Sequence, residues 1–92
     1  MYLEIVSPEA TLFKGEVSSV AVPGVNGEFQ VLNNHAPIVS ILSKGTVKIY
    51  GNITIGKEFS NYFSKGNNNE TLLNISSGTI EMKDNKVIVL AD

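Results

Sequence analysis

Ninety-two residues, 42% of them apolar, with a formal net charge of −2 and a pI near 5.3, describe one globular domain able to bury a core. All seven basic residues are lysines, spread from Lys14 to Lys86, so there is no guanidinium to read bases or phosphates and no electrostatic footprint for nucleic acid. The absence of cysteine excludes disulfide staples and thiolate zinc sites and points to a reducing compartment.

The start, Met1 to Phe13, carries Glu4 and Glu9 and lacks a basic opening followed by an apolar run, so it reads as neither a signal peptide nor an anchor. Tyr2 to Val6 reads as a first strand, ended by Ser7-Pro8-Glu9, and Thr11 to Glu16 as a second around Leu12 and Phe13. Val17 to Val22 alternates at Val20 and Val22, and Pro23-Gly24 is expected to stop it as a turn dipeptide. In Gly27 to Leu32, Phe29 and Val31 alternate with Glu28 and Gln30, which is a strand with one wet face. Asn33 and Asn34 tolerate left-handed backbone, and Pro37 removes a ladder donor, so this strand runs into a polar corner holding His35, the only histidine.

Beyond the corner, Ile38 to Leu42 is an apolar run broken by Ser43-Lys44-Gly45, and Val47 and Ile49 alternate with Thr46 and Lys48. Gly51-Asn52 signals a hairpin leading to Ile53 and Ile55 at strand spacing. In Gly56 to Phe63 the aromatics Phe59, Tyr62 and Phe63 fit a helical turn or a strand; the strand is adopted here. Lys65 to Glu70, with three consecutive asparagines, reads as a mobile loop. Leu73 and Ile75 are expected to pair with Ile80 and Met82 as a hairpin across Ser76-Ser77-Gly78. Asp84-Asn85 turns the chain again before a last buried strand from Val87 to Leu90.

The expected fold is therefore all-β: about ten short, mainly antiparallel strands in two packed sheets, a β-sandwich. No apolar run approaches the roughly 20 residues of a membrane helix. Sequons at Asn52, Asn69 and Asn74 read as chance in an asparagine-rich chain.

Chemistry is thinly represented. His35 has no nucleophile elbow to serve as a base, and it reads better as a corner residue donating a ring N–H to a backbone carbonyl. The nine carboxylates are dispersed rather than spaced as a calcium loop, and Gly24 and Gly27 are followed by neither the lysine nor the helix of a phosphate cradle. No catalytic residue, cofactor or metal ligand is assigned. Residues alone lead to a small cytosolic β-sandwich that binds a ligand or, better, a protein.

Several segments, taken in order, carry a resemblance. Pro8 to Gly15 ends in Phe13-Lys14-Gly15, and Val17 to Pro23 follows as a strand. Gly27-Glu28 precedes an apolar strand, and His35-Ala36-Pro37 closes that segment. Lys44-Gly45, Gly78-Thr79-Ile80-Glu81 and Val87 to Asp92 complete the series. Together they resemble the β-sandwich domain of the epsilon subunit of F-type ATP synthase, called delta in mitochondria. Between Tyr50 and Leu73 this chain is longer than the commonest family form.

The resemblance implies a non-catalytic rotor subunit that clamps the gamma subunit to the ring of membrane c subunits and couples proton flow to ATP synthesis. It implies a place on the cytoplasmic face of the cell inner membrane, peripheral rather than inserted, within the whole synthase complex. Asn26, Gly27 and Glu28 are the implied c-ring contact, Glu28 facing a basic residue, with His35 and Pro37 as a structural corner near that interface. Gamma is expected on an apolar sandwich face. Residues 1–92 correspond to the sandwich domain alone. The helical pair that follows it in longer relatives, where it restrains hydrolysis and in some binds ATP, is absent from this sequence, so no nucleotide binding is expected.

Overall fold

Period-two alternation builds most strands, because successive side chains of an extended chain point to opposite faces. In β1 (Tyr2–Val6), Leu3 and Ile5 are fully buried between half-buried neighbours, as are Val47 and Ile49 in β6 (Gly45–Tyr50); in β10 (Lys86–Ala91), Val87 and Val89 are fully buried between more exposed neighbours. The other strands of the computed structural model, which describes every residue from Met1 to Asp92, are β2 (Thr11–Glu16), β3 (Ser19–Gly24), β4 (Gly27–Leu32), β5 (Ile38–Leu42), β7 (Phe63–Lys65), β8 (Thr71–Ile75) and β9 (Gly78–Lys83). A 3-10 helix, Lys57–Tyr62, lies between β6 and β7.

The ten strands form a single hydrogen-bonded sheet curled into a sandwich, with β4 branching from β3. One layer runs β2-β1-β10-β9-β5, and the other runs β4-β3-β6-β8-β7. Every pairing is antiparallel except β1 with β10, registered from Tyr2↔Lys86 to Val6↔Leu90. The layers are joined along the ladder at one residue pair, Gly24↔Leu42. Leu3, Ile5, Ile80, Met82, Val87 and Val89 of the first layer share a core with Val20, Val22, Val31, Val47, Ile49 and Leu73 of the second. Each such side chain contributes about 1.5–3 kcal/mol of apolar burial, which makes this core the principal force holding the layers together.

Strand β3 is buried on both faces. Ser19 and Ala21 point away from the core, but Gln30 donates to Ser19 Oγ at 2.9 Å, and Ala21 lies between Gln30 of β4 and Lys48 of β6.

Four expectations need correction. Pro23-Gly24 does not stop β3, which continues through both residues to a turn at Val25-Asn26. The register with β6 ends at Ala21, so no donor is needed at Pro23 on that side, where the Pro23 carbonyl accepts Ser43 N–H at 2.8 Å. Ile53 and Ile55 form no strand; they pack against the core from irregular backbone. Gly56 to Phe63 is mostly the 3-10 helix, in which Phe59 and Tyr62, three residues apart, bring their ring centroids to 6.1 Å.

The hairpin between Leu73-Ile75 and Ile80-Met82 is also absent: β8 pairs with β6 and β7, whereas β9 pairs with β10 and β5. Those four residues share an inward period because they face one core from opposite layers. Ser76-Ser77 carries the chain across at the corner where Gly45↔Ile75 and Leu42↔Gly78 lie. The asparagine-rich loop is a closed turn between β7 and β8, with Gly66 N–H donating to the Glu70 carbonyl at 2.8 Å and Asn68 N–H to Glu70 Oε1 at 3.0 Å.

Candidate functional site

The β3–β4 hairpin presents Asn26, Gly27 and Glu28 at its tip, all exposed. Its closing pair, Gly24↔Gly27, requires glycine twice. Gly27 has φ 120°, a conformation L side chains rarely adopt, and a β carbon on Gly24 would lie 2.9 Å from the Gly27 carbonyl oxygen and 3.0 Å from the Phe29 ring. Phe29 packs against the core and Val31 is fully buried in it, which anchors β4 behind the tip. Val25, the other turn residue, is 61% exposed.

Glu28 is not free. Its Oε1 lies 3.0 Å from Lys48 Nζ, an ion pair that reaches diagonally over β3. The hydrogen bond to Glu28, and then its charge, hold the Lys48 ammonium above its ordinary pKa. Nothing in the local sequence signalled this pair, because Glu28 and Lys48 meet only through the register of three strands.

The His35 corner is built differently. His35 N–H donates to the Leu32 carbonyl at 3.1 Å, and Asn34 adopts φ 62°. His35 Nδ1 lies 2.7 Å from the Ala36 carbonyl, so Nδ1 carries the proton; the ring is exposed and its contact is local. Pro37 then leads into β5. The tip and the corner lie at opposite ends of β4, so five residue steps of about 3.4 Å place them roughly 17 Å apart.

Sequence reasoning did not name the apolar surface on the outside of the first layer. Val39 is 80% exposed, Ile41 66% and Leu90 51%. Register aligns Val6, Leu90, Thr79 and Ile41 in one row and Glu4, Ile88, Glu81 and Val39 in the next. The signal was present in β5: in Ile38-Val39-Ser40-Ile41-Leu42 the half-buried serine faces inward while the exposed Val39 and Ile41 face out, the reverse of an ordinary half-buried strand.

A family model for the ATP synthase delta/epsilon chain beta-sandwich domain matches residues 1–92. The chain belongs to that family. The ATP synthase epsilon chain of Leptospira borgpetersenii is 42% identical over 92 residues, covering 98% of this chain and 59% of the relative. That of Chlorobaculum tepidum is 36% identical over 90 residues, covering 98% of this chain and 86% of the relative. This chain thus spans about three-fifths of the first relative's length. Among solved structures, a chain in the central stalk/c-ring of the Tetrahymena thermophila mitochondrial ATP synthase superposes with a TM-score of 0.71 at 13% identity, over 98% of this chain and 61% of that one. At that identity the likeness is one of fold.

Proposed function

We propose that this domain is the non-catalytic sandwich of an ATP synthase central stalk, seating the gamma subunit against the ring of c subunits so that torque from proton flow reaches gamma. The supporting observation is the exposed apolar surface of Val39, Ile41 and Leu90 on a family member whose own core is complete without it. A stable protein partner needs roughly 1,000 Å² of complementary surface, and a sheet face on which exposed Val39, Ile41 and Leu90 flank Thr79 and Glu81 offers the centre of one. Gamma docks here in this reading. The tip, with Asn26, Gly27 and Glu28, faces the c-ring.

The fold suits a mechanical joint because shear between the layers would separate side chains packed in one core. In this reading the domain makes and breaks no bond. It sits as a peripheral component on the cytoplasmic face of the inner membrane, and no helix in it is long and apolar enough to cross one. At the ring, Glu28 shares its carboxylate between Lys48 and a basic partner group, so this contact contributes little and weakens with salt.

One paired experiment tests both surfaces. Ile41→Glu should lower affinity for purified gamma at least tenfold in calorimetric titration. Glu28→Lys should leave gamma binding unchanged and reduce association with isolated c-ring at low salt more than at high salt. Unchanged gamma affinity in the first variant, or ring association indifferent to the second at both ionic strengths, overturns the corresponding assignment.

A further inference from the structure

Asn85 makes three hydrogen bonds to two separate segments. Its carbonyl accepts Tyr2 N–H at 3.1 Å, its Oδ1 accepts Asn34 N–H at 2.8 Å, and its Nδ2 donates to Asn33 Oδ1 at 2.9 Å. With Asp84 it forms the two-residue β9–β10 turn closed by Lys83↔Lys86, both central residues having positive φ, 52° and 60°. Such a turn requires only that its residues tolerate left-handed backbone, which glycine does at least as well. The side-chain amide is surplus to the turn, and both of its hydrogen bonds go to the corner before β5.

That corner sets how the chain enters β5. From Asn34 the chain has only His35, Ala36 and Pro37 to cross before β5 begins. The ring of Pro37 fixes its own φ and restricts Ala36 to extended backbone, so a displacement at Asn34 passes to Pro37 with little slack, whereas Ile38 and Val39 are held by pairing with Met82 and Glu81 of β9. Beside it lies a recess of ≈ 230 Å³ lined by Pro37, Ile38 and Val39 on one side and Glu81, Met82 and Lys83 on the other. The β5–β9 ladder, with Ile38↔Met82 and Val39↔Glu81, sets the spacing within it, so what remains to be fixed is its end, where Pro37 and Lys83 lie beyond the last pair. The β9–β10 turn continues one wall, and the corner continues the other.

We propose that Asn85 is a positioning residue that clasps the corner to the β9–β10 turn and so preorganises the Pro37 end of the recess for the stalk partner. This rests on the gamma-docking reading above. Preorganisation raises affinity by removing the ordering cost of a loop at the moment of binding. The clasp consists of neutral amides, so its effect does not weaken with salt as an ion pair's would.

The test uses the full chain with Asn85→Gly, which keeps the left-handed turn and removes both amide bonds, and Asn85→Asp, which keeps the Oδ1 acceptor and removes the Nδ2 donor. Amide exchange at Asn34 by NMR, thermal midpoint and calorimetric affinity for purified gamma are read together, with Ile41→Glu alongside. The glycine variant should exchange at Asn34 about tenfold faster and lose about tenfold in gamma affinity at low and high salt alike, with the thermal midpoint shifted by only a few degrees. The aspartate variant should recover part of both the Asn34 protection and the affinity. Unchanged Asn34 exchange in the glycine variant, or faster exchange with gamma affinity within about twofold of the parent, overturns the clasp. If Ile41→Glu also binds gamma normally, the docking reading falls; if Ile41→Glu loses binding while the glycine variant keeps it, only the clasp falls.

Discussion

The two ends of β4 hold exposed loops in place by opposite means. At the tip, position comes from backbone: a two-residue turn, a glycine pair that admits no β carbon, and a charged side chain balanced by Lys48. At the corner, position comes from side-chain amides, with Asn85 bonded to Asn33 and Asn34 across 52 and 51 residues of sequence. A tight hairpin is local and needs little help from the rest of the fold, whereas a corner between layers has no ladder of its own and borrows order from a distant turn. The tip is therefore sensitive to salt and to pH, and the corner to the loss of specific hydrogen bonds.

The sharpest way to break the contrast is through the core that both ends share. Leu42 is buried where the ladder passes between layers, and Leu42→Ala should cost about 2–5 kcal/mol in urea denaturation. It should speed amide exchange at both ends of β4; faster exchange at the corner alone would show that the junction does not brace the tip.

A smaller change acts on one end only. Gly24→Ala forces a β carbon against the Gly27 carbonyl and the Phe29 ring, and should cost about 1–3 kcal/mol while leaving Asn34 exchange at its parental rate. Equal disturbance at Asn34 would mean that the two ends move together.

The smallest effect concerns charge at the tip. The Lys48 pKa is raised above its ordinary 10.5 by Glu28, so the folded protein holds that proton more tightly than the unfolded chain does. The contribution is fully present below about pH 10.5 and is lost as pH rises through the folded value. Lys48→Met should therefore be less stable than the parent near neutral pH, by a small and salt-sensitive margin that vanishes in strong alkali. A margin constant across the alkaline range would assign it to packing of the lysine stem over Ala21 rather than to charge.

Element by element, legibility followed locality. The strands with clean alternation, such as those carrying Leu3 and Ile5 or Val47 and Ile49, were readable because burial of one face imposes period two. The turns at Val25-Asn26 and Asp84-Asn85 lay within or beside stretches whose composition marked them, although Pro23 suggested a stop two residues too early. The segment from Gly56 to Phe63 misled because aromatics three residues apart satisfy a short helix as well as a strand. The false hairpin of β8 with β9 had a different cause: an inward period says that a residue meets the core, and is silent on which layer it comes from.

The sequence by itself determined the all-β class, most strand positions, the glycine tip and, through an ordered series of segments from Pro8 to Asp92, the family resemblance that the family match then established. Local chemistry suffices for those, because alternation, turn residues and motif order are properties of neighbours in the chain. Only the tertiary structure decided that Glu28 is paired with Lys48, that tip and corner stand at opposite ends of one strand, that Val39, Ile41 and Leu90 share an exposed face, and that Asn85 reaches Asn33 and Asn34. Each of these depends on strand register and on the single crossing at Gly24 and Leu42, which join residues by spatial pairing that no local pattern encodes.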